Sequence, residues 1–159
     1  FIVDTSGSMK EIWRKVMREI EDILTVHPQV KGFQIINDNG NYLVSGYAGK
    51  WMKDTPSMRK RVMKLFSSWA SISNSSPVEG IETALTRYSK YTKNLSIYVI
   101  GDDFTGANFD QVISRTRQLN KGHARIHALN FISPNASTDR FSTLMREICR
   151  ENQGTFLTF

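Results

Sequence analysis

Phe1-Ile2-Val3-Asp4-Thr5-Ser6-Gly7-Ser8-Met9 is the stretch on which the reading of this chain turns. An apolar run ends in a carboxylate, hydroxyls at Ser6 and Ser8 flank Gly7, and an amphipathic pattern starts at once afterwards. This predicts a buried strand that delivers Asp4, Ser6 and Ser8 to its carboxyl end, where open α/β sheets place their ligands. All three residues offer oxygen, the donor preferred by a hard dication such as Mg²⁺. Gly7 lets the backbone turn tightly and bring both serines close to an ion. A plainer account also fits: Ser8 N-caps the next helix and Asp4 merely ends a strand. The stretch alone does not separate the two.

Working outward, Met9, Ile12, Trp13, Val16, Met17, Ile20, Ile23 and Leu24 recur with a 3.6-residue period, which predicts a core-facing helix. Its N-terminal dipole favours anions and opposes a bare cation, so carboxylates must outweigh it. His27-Pro28 breaks the helix. A strand is expected over 30–36 and another over 42–44, joined through Asn37-Asp38-Asn39-Gly40-Asn41 as an antiparallel edge hairpin. Those polar residues lack the Gly and Glu register of a calcium loop, so they read as turn chemistry. Gly46-Tyr47-Ala48-Gly49-Lys50 has too few glycines, and no following Ser or Thr, for a phosphate loop.

Thr55-Pro56 starts a helix carrying Met58, Val62, Leu65, Phe66 and Trp69; Trp51 and Trp69 read as core or rim packing. Hydroxyls then crowd the chain at Ser67, Ser68, Ser71, Ser73, Ser75 and Ser76, ahead of Pro77 as first residue of a helix over 77–91. Position makes Ser76 its N-cap, and the same hydroxyl can turn to an ion instead. A buried strand over 95–100 runs into Gly101-Asp102-Asp103. Next come a helix over 109–119 closed by Lys121-Gly122, a strand over 124–132 broken by Ser133-Pro134-Asn135, a helix lined by Phe141, Leu144, Met145, Ile148 and Cys149, and a last strand over 155–159. His123 and His127 have no partner at metal spacing and read as structural or solvent histidines.

Alternating strands and helices predict an α/β fold: a doubly wound, Rossmann-like, mainly parallel sheet of about six strands with one antiparallel edge strand and helices on both faces. Right-handed crossovers bring the ends of the first and fourth strands to a topological switch point, where Asp4 with its Ser6-Ser8 loop and Asp102 would meet, both acids ionised. The 159 residues form one domain able to bury roughly two-thirds of its unfolded surface. With no initiating Met, a fragment of a longer chain is expected, any anchor lying upstream. No apolar run reaches the roughly 18 residues of a membrane helix, so no membrane contact is expected from this domain itself. Cys149, the single cysteine, excludes an internal disulfide and reads as a buried inert thiol. The +6 formal charge is scattered over Lys15, Arg18, Arg59, Lys60, Arg61, Lys64, Arg115 and Arg117, which reads as solvated helix faces and favours no nucleic-acid partner. Three formal glycosylation sequons, at Asn74, Asn94 and Asn135, are discounted, since a glycan on Asn74 would cover the proposed metal face.

Asp4-x-Ser6-x-Ser8 after an apolar strand resembles the metal-ion-dependent adhesion site of von Willebrand factor A domains, of the bacterial type. That family adds a Thr from a second loop and an Asp from a third; Asn74-Ser75-Ser76-Pro77 and Ile97-Tyr98-Val99-Ile100-Gly101-Asp102 stand in those places. Ser76 replaces the Thr, Gly101 the residue before the acid, and Asp103 the following Gly. The resemblance implies that Ser6, Ser8 and Ser76 bind Mg²⁺, with Mn²⁺ or Ca²⁺ as alternatives, while Asp4 and Asp102 act wholly or partly through water. A partner protein's Asp or Glu would fill the open position, with no catalytic residue, and Asp103 would modulate the site. Ser75 and Ser73 remain alternatives to Ser76. A competing class, the haloacid-dehalogenase-like phosphatases, fits Gly101-Asp102-Asp103 but needs an acid where Ser6 stands. An RNA-associated module is a third. Compartment stays open, with a lean to an extracytoplasmic or membrane-anchored setting.

Overall fold

Alternation along the strands sorts the core into two layers. The computed structural model describes residues 1–27, 30–69, 72–92, 94–106, 108–132 and 138–159. In β1 (Ile2–Val3) and β5 (Leu95–Gly101), Ile2, Ile97 and Val99 point to one face of the sheet, Val3 and Ile100 to the other. On the first face they meet Ile81, Ala84 and Leu85 of α3 (Val78–Tyr88) and Phe141, Leu144, Met145 and Ile148 of α5 (Arg140–Glu151), with α4 (Phe109–Asn120) alongside. On the second they meet Val16, Ile20 and Leu24 of α1 (Trp13–Val26) and Val62 and Phe66 of α2 (Pro56–Ser67). Cys149 is buried, and burial pushes its thiol up to about 12, as an inert core residue requires.

The main sheet is parallel throughout, in the order β3-β1-β5-β6-β7, where β3 is Ile36–Asn37, β6 Ala124–Asn130 and β7 Phe156–Thr158. The chain winds from β1 outward to β3, then returns to β5 on the other side, so the switch point lies between β1 and β5. Helices cover both faces, as the doubly wound pattern demands.

Two local expectations need correction. The strand expected over 30–36 is split into β2 (Gly32–Phe33) and β3, and β2 pairs antiparallel with β4 (Met52–Lys53) in a separate two-stranded ribbon. Gln34 causes the split: its amide donates to the carbonyls of Tyr47 and Lys50, and its Oε1 accepts from Ile35 N, so the side chain replaces ladder partners. The hairpin expected over 42–44 shrinks to one antiparallel bridge between Ile36 and Tyr42, around a turn in which Gly40 adopts φ 80°. Secondly, α3 starts one residue late, so Pro77 rather than Ser76 is its N-cap, without a side-chain cap. Thr55 does cap α2, accepting from Met58 N at 3.2 Å, and Lys121 and Gly122 close α4 at positive φ. The break at Pro28, Ser71, and the segment Ser133-Pro134-Asn135 with its sequon lie outside the described residues.

Candidate metal centre

Each of three adjacent strands hands over to an aspartate. Register sets Ile2 beside Ile36 and Val3 beside Asn37, so Asp4 and Asp38 are the next matched positions; Val3 lies beside Ile100, which puts Asp102 one residue further along β5. Asp4, Asp38 and Asp102 are 4%, 1% and 3% exposed. Asp4 N donates to Ile100 O at 2.8 Å and Asp38 N to Val3 O at 3.0 Å, continuing the ladders past the strand ends.

The first loop wraps around Asp4. Ser6 N donates to Asp4 Oδ1 at 2.7 Å, and the Ser6 and Ser8 hydroxyls pair at 3.0 Å. A 3-10 helix, Gly7–Ile12, precedes α1, and no side chain caps it; Ser8 is therefore not the helix cap of the plainer reading. The second loop contributes Ser73, whose hydroxyl donates to Asp4 Oδ1 at 3.3 Å and accepts from Thr5 N at 3.1 Å. Ser76 is buried with its amide on Asp38 Oδ2 at 3.1 Å. Ser75 holds φ 56°, a costly geometry for a residue with a side chain, and its carbonyl is tied to Thr105 N. On the third loop, Gly101 fits because a Cβ there would stand 2.9 Å from the Phe141 ring and 3.3 Å from the Asp4 Cβ. Asp103 is held at the rim: its Oδ1 accepts from Phe104 N at 2.7 Å and from the Thr138 hydroxyl at 2.6 Å. Arg140 donates to the carbonyls of Phe104 and Gly106 and lies over the Phe104 and Phe109 rings, fixing this loop to the start of α5.

The structure thus brings Asp4, Ser6, Ser8, Ser76 and Asp102 to one end of the sheet. Ser73 reaches the Asp4 carboxylate directly, and Asp38 is a third acid that the turn-like sequence around it concealed. Its one signal was position, two residues after the apolar pair Ile35-Ile36, where a short strand could end.

Burial dominates the electrostatics. It pushes Asp4 up to about 7, helped by repulsion from Asp38 and, less, Asp102, against the Ser6 hydrogen bonds. Asp38 is also raised by burial, eased by the Ser73 hydroxyl and the Ser76 and Thr5 amides. Burial and the charge of Asp103 raise Asp102; the Ser8 hydroxyl, near but not closing a hydrogen bond, offsets part of this. Burial and like charge thus push both Asp4 and Asp102 above the ordinary carboxylate range in the chain without a cation, which works against the ionisation expected of them.

Both carboxylate oxygens of Asp102, and Oδ1 of Asp38, are buried without a hydrogen-bond partner. Such atoms cost about 1–3 kcal/mol each unless something compensates them. A dication with oxygen preference is compensation of the right charge and chemistry, so the donor set fits one. Among the described residues no three His, Cys, Asp or Glu side chains close on a point as direct ligands. The serine hydroxyls would have to supply the direct contacts, with the acids at one remove.

A doubly wound α/β domain with acids gathered at its switch point defines the class of structure. Its backbone is similar to von Willebrand factor A domains: the von Willebrand factor type A protein from Catenulispora acidiphila (TM-score 0.72, 13% identity, 99% of this chain and 37% of that one) and the SpRpn10 VWA domain (0.64, 13%, 99% and 85%). Proximal thread matrix protein 1 from the mussel byssus aligns at TM-score 0.61 and 15% identity over 99% of this chain and 40% of that one. The chain thus spans about two-fifths of the length of two of these proteins. At such identities the likeness is one of fold. No family model and no curated protein matches the chain.

Proposed function

We propose that the domain is a divalent-metal-dependent protein-binding module, without catalysis, that captures an Asp or Glu carboxylate of a partner protein. One observation carries the reading: Asp102 presents two buried, unpartnered carboxylate oxygens beside Asp4 and the paired Ser6 and Ser8 hydroxyls. Ser6, Ser8 and Ser76, with Ser73 as the alternative loop donor, would hold Mg²⁺, or Mn²⁺ or Ca²⁺ in its place; Asp4 and Asp102 would orient water and hydroxyl around it. When bound, the ion supplies an electrophilic position that neutral hydroxyls leave largely unquenched and that an anionic oxygen satisfies. The +6 formal charge adds long-range attraction for an acidic partner.

Titrating Mn²⁺ into the domain by calorimetry tests this. The wild type should bind, and Ser8→Ala and Asp4→Asn should lose binding at least tenfold while keeping their circular dichroism spectra. Undiminished affinity in both variants would refute the assignment.

A further inference from the structure

Asp38 is the most buried of the three acids, and it is gripped from every side. Its N–H continues the β1 ladder to Val3 O, its carbonyl accepts from Gly80 N at 2.7 Å, and its Oδ2 accepts from Ser76 N at 3.1 Å. Gly80 permits this grip, because a Cβ there would stand 3.1 Å from Asp38 O and 2.5 Å from the Ile2 side chain. The carboxylate so fixed lies close enough to Asp4 to be its strongest charged neighbour.

A capping role does not account for this residue. Holding the Ser76 amide requires one neutral acceptor, which Asn or Ser provides without a buried charge. Asp38 instead carries a second oxygen, Oδ1, sealed from water and without a partner. Burying an unpaired carboxylate is costly, so the fold loses stability by having Asp here. Its charge and its free oxygen are explained if a cation occupies the site. Since the three acids do not converge as direct ligands, Asp38 acts at one remove. It fixes the Ser76 backbone and stands beside Ser73, the two serines that compete as the second-loop donor.

We infer that Asp38 is a positioning carboxylate of the metal centre, whose negative charge strengthens dication binding while its Oδ2 fixes the Ser73–Ser76 loop. This rests on the proposed metal-binding function and adds a third strand end, β3, to the site. Outer carboxylates of this kind typically change metal affinity 10- to 100-fold.

The experiment compares Mn²⁺ affinity, by calorimetry, and melting temperature in chelator for the wild type, Asp38→Asn and Asp38→Ala. Asn keeps an acceptor for the Ser76 amide and removes the charge. Asp38→Asn is expected to bind Mn²⁺ at least tenfold more weakly while melting in chelator at or above the wild-type temperature; Asp38→Ala is expected to weaken binding at least as much and to melt below Asp38→Asn. Wild-type affinity in Asp38→Asn overturns the inference. So does a weakened affinity accompanied by a lower melting temperature in chelator, which marks a structural acceptor only. A wild type that binds no Mn²⁺ overturns the metal-binding function itself, and the inference with it.

Discussion

Two buried polar clusters of this molecule look alike by burial and differ in saturation. Beneath the amino end of β6, Asn120 and Asn152 are 1% and 8% exposed. Asn120 Nδ2 donates to Ala124 O at 2.8 Å and to Asn152 Oδ1 at 2.5 Å, Ala124 N returns a hydrogen bond to Asn120 Oδ1 at 2.7 Å, and Asn152 Nδ2 reaches Ile148 O at 2.7 Å. That cluster is neutral and its amides are occupied; it ties the ends of α4 and α5 to the sheet. At the opposite end of the strands, Asp4, Asp38 and Asp102 are also buried, but both carboxylate oxygens of Asp102 and Oδ1 of Asp38 are left without a partner. Buried polar groups in native proteins are nearly always satisfied, so the second cluster is the exception that the proposed metal site accounts for. The lesson is that satisfaction, rather than burial, separates a structural polar group from a functional one.

The largest test of that contrast is pH. In chelator, Asp4 releases its proton near the ordinary carboxylate value of 3.8 when unfolded and at about 7 when folded. Between those values the folded chain binds more protons than the unfolded one, so stability falls as pH rises through the window and levels off above it. The interval is worth up to about 4 kcal/mol at about 1.36 kcal/mol per unit, with Asp38 and Asp102, also raised, acting in the same direction. Urea unfolding at pH 4 and pH 8 measures most of it, and millimolar Mg²⁺ should flatten the slope. A chain equally stable at both values in chelator would mean that the acids are compensated within the fold, and the contrast would break.

Next in size is the saturated cluster. Asn120→Ala leaves the Ala124 amide and carbonyl and the Asn152 carbonyl without their partner, a loss of roughly 2–4 kcal/mol in urea unfolding. The cost should be the same at pH 5 and pH 8 and with or without Mg²⁺. Dependence on the cation would place Asn120 within reach of the proposed metal centre, contrary to the geometry.

Which parts of this were legible in the sequence follows from the range of the interactions. The helices and the strands β5 and β6 announce themselves by period, because each buries a face wide enough to repeat: Val16, Ile20 and Leu24 on α1, Ile97 and Val99 on β5. Asp4, Ser6, Ser8 and Asp102 follow from the position of an acid at the end of an apolar run. Asp38 was hidden because its neighbourhood is a turn: Asn41 N donates to Asn37 Oδ1 and Gly40 has positive φ. Turn chemistry and a strand end coincide there, and the parallel pairing of β3 with β1 is a long-range fact that local composition does not carry. The same holds for Ser73 against Ser76. Which hydroxyl faces Asp4 depends on the left-handed backbone at Ser75, and spacing says nothing of that sign. Gln34, whose side chain breaks the expected strand in two, is likewise read only once its partners at Tyr47 and Lys50 are in place.

The smallest effect discriminates most sharply, because its sign differs between the two clusters. Replacing a saturated group always removes a partner, whereas replacing an orphan one removes only a penalty. Asp102→Asn keeps the size of the side chain and discards a buried charge that nothing in the fold neutralises. In chelator at pH 8 it should therefore stabilise the domain, by about 1 kcal/mol, after the new amide has met its own incomplete partners. Mn²⁺ should then reverse the ranking. At a hundred times its dissociation constant a ligand adds about 2.7 kcal/mol to the wild type, and Asp102→Asn should gain little. Two urea curves per protein, with Mn²⁺ and with chelator, decide it. If Asp102→Asn is the less stable protein even in chelator, Asp102 has a partner within the fold, and it belongs with Asn120 and Asn152 among the residues that hold the structure together.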